Sequence, residues 1–317
     1  MHEFEIIQQY FSGHGPQRDD VVMGIGDDAA ILSVPPGMQL AASVDSLVAG
    51  VHFPEHMPPA AVGHRSLAVN LSDLAAMGAQ PAWALLALTL PQADDAWLLE
   101  FSRGFFALAR RCQVALVGGN LALGPLNITI AVHGLVPGGQ ALLRSGARPG
   151  DHIYVSGWLG DAARGLQELP AVPGAAAGDS GIARFCYPEP RLQAGMALRG
   201  IASAAIDVSD GLAADLDHIL QASGTGARLQ VDALPLSPWL LEHCGREQAV
   251  NLALTGGDDY ELCFTVPAAR LPQLNARLQA LGAAVTRVGE ITAGGGLQCV
   301  RADGTPWPLA ATGYQHF

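Results

Sequence analysis

Lysine is absent from this 317-residue chain, so all 17 residues counted as Lys or Arg are arginine. That absence excludes a Walker-type phosphate lysine, a Schiff-base lysine and the usual lysine of a protein kinase. Charge of any kind is scarce, at 15% of residues, and what there is leans acidic: 29 Asp and Glu leave a formal net charge of −12. No basic footprint for a nucleic acid is present. The five cysteines (Cys112, Cys186, Cys244, Cys263 and Cys299) form no CxxC pair. Neither a disulfide frame nor a zinc site is expected from them, and they read as reduced thiols. Met1-His-Glu-Phe-Glu lacks the apolar run of a signal peptide, and the longest apolar stretch, 83–90, is too short to span a bilayer. These absences predict a soluble, cytoplasmic protein that binds neither nucleic acid nor membrane.

What the chain does contain is hydrophobic material, 50% of its residues, enough for buried cores and for two domains at this length. Apolar periodicity predicts a helix over 4–11, strands over 29–34 and 39–44, and a long helix from Pro58-Pro59 to about Met77, stopped by Gly78 and Pro81. A strand over 83–90, a helix over 94–112 and strands over 114–117 and 128–135 follow. The Pro- and Gly-rich stretch 137–150 divides the chain into domains 1–138 and 149–317. Beyond it, strands are expected at 152–155, 204–208 and 260–266, with helices at 160–169, 190–199, 212–221 and 268–281. The Ala-, Gly- and Pro-rich segment 170–181 reads as a mobile loop. Strands and helices mix in both halves, so the expected class is α/β or α+β in two domains. Asn70-Leu-Ser-Asp73 weakly echoes Asp207-Val-Ser-Asp210.

The chemistry-bearing residues are aspartates set beside glycine, serine and strand ends. They occur in Gly24-Ile-Gly-Asp27-Asp28, Ser43-Val-Asp45, Asn70-Leu-Ser-Asp73, Asp207-Val-Ser-Asp210 and Gly256-Gly-Asp258-Asp259-Tyr-Glu261. Each alone reads equally as an Asx turn or a helix cap. Asp73 is the exception, because it lies within an apolar helix, where an inward carboxylate is costly unless paired. Two carboxylates about 4 Å apart repel by about 4 kcal/mol at an effective dielectric near 20. If the clusters converge, cations must offset that repulsion, and oxygen-only ligands select Mg²⁺, Mn²⁺ or Ca²⁺ over zinc. An aspartate-lined Mg²⁺ site in turn suggests nucleotide chemistry. Gly118-Gly119-Asn120 follows a strand, and reads as a tight turn or as a close backbone approach to phosphate. Arg144 is a phosphate fork or a solvated interdomain arginine. His52, following the Asp45 strand, is by default structural.

Seven segments, in order from end to end, resemble the thiamine-monophosphate kinase family. They are Gly24-Ile-Gly-Asp-Asp28, Val44-Asp-Ser-Leu-Val-Ala-Gly-Val-His-Phe53, Ala68-Val-Asn-Leu-Ser-Asp-Leu-Ala-Ala-Met-Gly-Ala79, Arg144-Ser-Gly-Ala-Arg-Pro-Gly-Asp151, Ile206-Asp-Val-Ser-Asp-Gly-Leu212, Thr255-Gly-Gly-Asp-Asp-Tyr-Glu-Leu262 and Gly313-Tyr-Gln-His-Phe317. The wider superfamily holds aminoimidazole-ribotide synthetase, selenide–water dikinase and a hydrogenase-maturation enzyme. The resemblance implies two α/β domains, a homodimer built by the N-terminal domains, and ATP-dependent phosphorylation of thiamine monophosphate with several Mg²⁺ ions.

Residue by residue, the resemblance implies metal positions at Asp28, Ser43, Val44, Asp45, Asp73, Asn120, Asp207 and Asp210, with Asp45, Asp73 and Asp210 central to catalysis. ATP positions are implied at Gly119, Asn120, Arg144 and Ser209. Substrate positions are implied at His52, Asp258 and Tyr314. Three positions depart from the family pattern. Val44 replaces a common threonine, so a metal contact there runs through its backbone carbonyl. Asn120 replaces a common aspartate, and Asp258 a common glutamate. A selenide–water dikinase is disfavoured, because that enzyme generally uses an N-terminal redox residue and a lysine. An aminoimidazole-ribotide synthetase-like enzyme and a non-catalytic cation- or nucleotide-binding protein on the same scaffold remain as alternatives.

Overall fold

The computed structural model describes residues 2–169 and 181–309. The chain divides into two compact units, Met1–Leu74 with Ala79–Gly139, and Ala75–Gly78 with Gln140–Phe317. The expected loop at 170–181 lies outside the described residues except for Gly181, which begins a helix. Tyr314 lies outside them as well.

The first unit opens with α1 (Glu3–Ile6), continued by a π-turn over Ile7–Phe11, and a small antiparallel pair, β1 (Val21–Met23) and β2 (Ile31–Leu32). Its main elements are β3 (Met38–Val48), α2 (Pro59–Ala76), β4 (Gln80–Leu90), α3 (Asp95–Cys112), β5 (Ala115–Leu123) and β6 (Asn127–Pro137). The four long strands form one sheet in the order β3-β6-β4-β5. β6 is antiparallel to both its neighbours, whereas β4 and β5 are parallel and α3 makes the crossover between them. α3 starts where Asp94 Oδ1 accepts from the Trp97 N–H at 3.0 Å, and it ends at Gln113 in the left-handed conformation (φ 58°). α2 and α3 touch backbone to backbone. A Cβ on Gly104 would stand 1.9 Å from the Ala60 carbonyl oxygen, and one on Gly63 2.1 Å from that of Phe101. Ala82, Trp83, Ala115, Val117 and Leu135 make a buried cluster on the sheet.

The second unit contains β7 (His152–Ser156), α4 (Asp161–Glu168), α5 (Gly181–Cys186), α6 (Leu192–Leu198), β8 (Ala204–Val208), α7 (Leu212–Ser223), β9 (Gly226–Gln230), α8 (Pro238–Thr255), β10 (Glu261–Val266), α9 (Leu271–Leu281), β11 (Val285–Thr292) and β12 (Gly296–Val300). Its sheet runs β12-β9-β11-β7-β10-β8, antiparallel except for the β12–β9 pair. β8 and β10 are buried at every position, and Ile206, Val208, Leu212, Leu216, Ile219 and Leu254 belong to one large apolar cluster. Such two-face burial gives continuous apolar runs instead of alternation, which is why these strands stand out in the sequence. Among the described residues, no helix is long and apolar enough to cross a membrane.

Candidate functional site

In the first unit, strand alternation sets the chemistry. Ser43 and Asp45 point to one face of β3 and Val44 to the other, where it is 59% exposed. α2 supplies Asn70 and Asp73, three residues apart and hence on one helical face. Ser43 Oγ donates to Asp73 Oδ2 at 2.5 Å, and the Asp45 N–H donates to Asn70 Oδ1 at 2.9 Å. Asn70 is fully buried and held in turn by donating from Nδ2 to the Ser66 carbonyl at 2.9 Å. The partner that Asp73 required is therefore Ser43, and the strand and helix are joined by two polar links. Asn70 is the residue that sequence reasoning left without a role. Its signal was a second polar side chain in the same apolar helix, one turn before Asp73.

Gly118, Gly119 and Asn120 lie within β5, not in a turn after it, opposite Leu85, Leu86 and Ala87 of β4. The expected strand end at 117 falls too early because glycine and asparagine read as turn residues. A Cβ on Gly119 would stand 1.8 Å from the Leu86 carbonyl oxygen, so the parallel neighbour demands glycine there. Asn120 is exposed on this strand. Asp28 is exposed on the Gly24–Asp28 loop, its N–H donating to Asp27 Oδ1 at 2.8 Å. His52 Nδ1 accepts from the Val48 N–H at 3.0 Å, which leaves Nε2 to carry the proton of the neutral ring.

In the second unit, the aspartates gather at the end of β8. Asp207 is buried in the strand opposite Leu262, and Ser209 and Asp210 are half-buried in the turn before α7. Asp215, on the first turns of α7, is 2% exposed and accepts at one oxygen, Oδ2, from the N–H groups of Ser209 (3.0 Å), Asp210 (3.0 Å) and Gly211 (3.1 Å). Burial, with Asp207 and Asp210 close by, pushes its carboxyl up to about 7. Sequence reasoning missed Asp215, since an aspartate in the first turn of a helix is unremarkable.

The Gly256–Glu261 loop packs against the same turn. The Asp258 N–H donates to the Ser209 carbonyl and the Tyr260 N–H to the Val208 carbonyl, both at 2.8 Å. Asp258 and Tyr260 adopt positive φ, 64° and 50°, and Tyr260 Oη donates to Asp258 Oδ1 at 3.2 Å. Two left-handed non-glycine residues in one loop mark a strained conformation fixed by its surroundings. Asp259 Oδ1 and Oδ2 accept from the Gly160 N–H at 2.9 and 3.0 Å, and burial raises that carboxyl well above its ordinary value. Glu261 pairs with Arg191 and accepts from Ser156 Oγ at 2.5 Å. Arg144 is exposed, and its carbonyl accepts from Ser223 Oγ at 3.3 Å. The echo between Asn70–Asp73 and Asp207–Asp210 is not structural, because the first lies inside a helix and the second at a strand end.

Among the described residues, no group of three or more His, Cys, Asp or Glu is gathered as a metal set. The residues that do meet, Ser43 with Asp73 and Asp207 near Asp210 and Asp215, offer oxygen donors only. Such sparse, hard donor sets fit Mg²⁺, which dehydrates reluctantly and completes its shell with water and phosphate oxygens.

Residues 26–136 match the family of AIR synthase related proteins, N-terminal domain, and residues 148–301 the corresponding C-terminal domain. The fold and this pair of matches define a two-domain protein of the AIR-synthase-related class. Within that class, the thiamine-monophosphate kinase of Escherichia coli K12 is 49% identical over 318 residues, covering 99% of this chain and 98% of that protein. The crystal structure of thiamine-monophosphate kinase from Stenotrophomonas maltophilia K279a is 45% identical, with a TM-score of 0.85 over 92% of this chain and 93% of that one. A structure of AaThiL complexed with AMPPCP and TMP is 31% identical, with a TM-score of 0.79 over 90% of this chain and 89% of that one. The chain belongs to the thiamine-monophosphate kinase family.

Proposed function

We propose that this protein phosphorylates thiamine monophosphate to thiamine diphosphate at the expense of ATP. The observation that carries the reading is near-half identity, along essentially the whole chain, to a thiamine-monophosphate kinase. A more distant relative complexed with AMPPCP and TMP supports both substrates.

The reaction is a direct in-line transfer. A terminal oxygen of the thiamine monophosphate phosphate forms a bond to the γ-phosphorus of ATP, the bond to the β–γ bridging oxygen breaks, and ADP leaves with that electron pair. The acceptor phosphate has a second pKa of about 6, so it is mostly dianionic at neutral pH and needs no strong general base. The difficulty is bringing two polyanions together, and bound Mg²⁺ ions supply charge neutralisation and alignment. Asp28, Ser43, Asp45, Asp73, Asp207 and Asp210 would hold them, joined by the Val44 carbonyl and the Asn120 amide oxygen. The Ser43–Asp73 and Asp45–Asn70 links fix β3 and α2 together, so the Asp73 carboxylate and the backbone at Asp45 are held in place before any cation arrives. Gly119, Arg144 and Ser209 are assigned to ATP, and His52, Asp258 and Tyr314 to thiamine monophosphate.

A homodimer formed by the N-terminal domains is part of this reading. β3 is an 11-residue edge strand that is exposed at most positions, including Leu40 at 48% and Val44 at 59%. A long, half-apolar edge of this kind is a liability in a monomer, and a second copy would cover it. Cytoplasmic residence accords with the reduced-thiol composition.

The test is ADP release with ATP and Mg²⁺, comparing three acceptors. Release with thiamine monophosphate, and none with formylglycinamidine ribotide or selenide, supports the proposal. Release with either of the latter, or with none of the three, refutes it.

A further inference from the structure

The three amides that Asp215 gathers are those a phosphate would otherwise find. The N-cap of α7 is Gly211, which has no side chain to satisfy the first-turn N–H groups. A strand end, a glycine-bearing turn and a helix start in succession ordinarily make a backbone anion site. Here the anion is built in. Asp215 Oδ2 takes the N–H groups of Ser209, Asp210 and Gly211 within 3.1 Å, so the amides of this turn face Asp215 and the backbone that carries the Asp210 side chain is held in place. The turn is clamped from the other side by the Asp258 N–H on the Ser209 carbonyl at 2.8 Å. Gly257 fits there because it lacks a Cβ, which would stand 2.5 Å from that same carbonyl oxygen. Asp215 is itself 2% exposed, and its Oδ2 is taken up by the three amides.

We infer that Asp215 is a positioning residue, which sets the direction in which Asp210 presents its carboxylate to a divalent cation by holding three successive amides on one oxygen. The inference rests on the reading above that Asp210 is a Mg²⁺ ligand. Because all three bonds end on a single oxygen, an asparagine can reproduce them and an alanine cannot.

The experiment is calorimetric titration of Mg²⁺ into the full-length protein, paired with the Mg²⁺ dependence of ADP release and with thermal unfolding. Asp215→Asn should bind Mg²⁺ within about threefold of the parent, whereas Asp215→Ala should weaken binding and raise half-activation by at least about tenfold, the usual cost of losing a supporting partner of a metal ligand. Parental Mg²⁺ binding in Asp215→Ala would reduce the residue to a helix cap and overturn the inference. Equal loss in both variants would overturn it by making the charge, not the placement, decisive. If Asp215→Ala does not fold, Asp215→Glu takes its place: it keeps the charge but displaces the oxygen, so placement requires loss and parental binding contradicts it. A parent that binds Mg²⁺ without phosphorylating thiamine monophosphate would defeat the proposed function, and the contrast between variants would still decide the role of Asp215. A parent that binds no Mg²⁺ defeats the inference itself.

Discussion

Asp73 and Asp20 show how much one carboxylate can be asked to do. Asp73 meets Ser43 Oγ at 2.5 Å, and an asparagine can keep that bond through its own oxygen while dropping the charge. Asp73→Asn should leave the circular dichroism spectrum and unfolding midpoint close to parental yet lower kcat for ADP release by roughly 10²-fold or more. Parental turnover in that variant would return Asp73 to a purely structural part. Asp20 accepts from Arg18 Nε (2.9 Å) and Nη2 (2.6 Å) and from Trp83 Nε1 (3.0 Å), and the Arg18 bonds above all hold its carboxyl below the ordinary 3.8. A carboxyl lowered in the folded state stabilises the fold above its unfolded pKa, and that contribution is lost as pH falls through the lower, folded value. Asp20→Asn should therefore lower the melting temperature at neutral pH, with the gap to the parent closing as pH drops below 3.8. A gap that stays constant through that range would contradict the account. Residue types were legible in the sequence here, and partners were not. The inward cost of Asp73 announced that a partner exists, but only the register of β3 against α2 identifies Ser43, and Asp215 is indistinguishable in sequence from an ordinary first-turn aspartate.

Elements with a strong apolar period are placed by sequence to within a few residues. The expected helix over 94–112 is α3 at Asp95–Cys112, and the expected strand over 204–208 is β8 at Ala204–Val208. Elements without that contrast were missed: β9, α8, β11 and β12 carry mixed polar and apolar residues, and α8 is broken by a kink at Gly245. β5 was shortened for a different reason. Its glycines look like an ending but serve close packing against β4, where the Leu86 carbonyl leaves no space for a Cβ on Gly119. Gly119→Ala should cost several kcal/mol or prevent folding, read as a large drop in urea midpoint or as insoluble protein. If Gly119→Ala unfolds like the parent, the β4–β5 register is wrong, and the strand placement of Asn120 falls with it.

At the scale of the whole molecule, a chain without lysine would, on the proposed reading, manage phosphates with aspartate-held cations, arginine and backbone. The exposed β3 edge predicts a dimer by light scattering at assay concentration, and a fully active monomer would remove the dimer from the account. The central claim is that the γ-phosphoryl group passes in one step to thiamine monophosphate, and ATP labelled at the γ-phosphorus tests it most directly. With Mg²⁺ and thiamine monophosphate, the label should appear in thiamine diphosphate in step with ADP, with none trapped on the protein by acid quench and none transferred in excess chelator. Label recovered as a phosphoprotein intermediate, or only as inorganic phosphate, would contradict direct transfer.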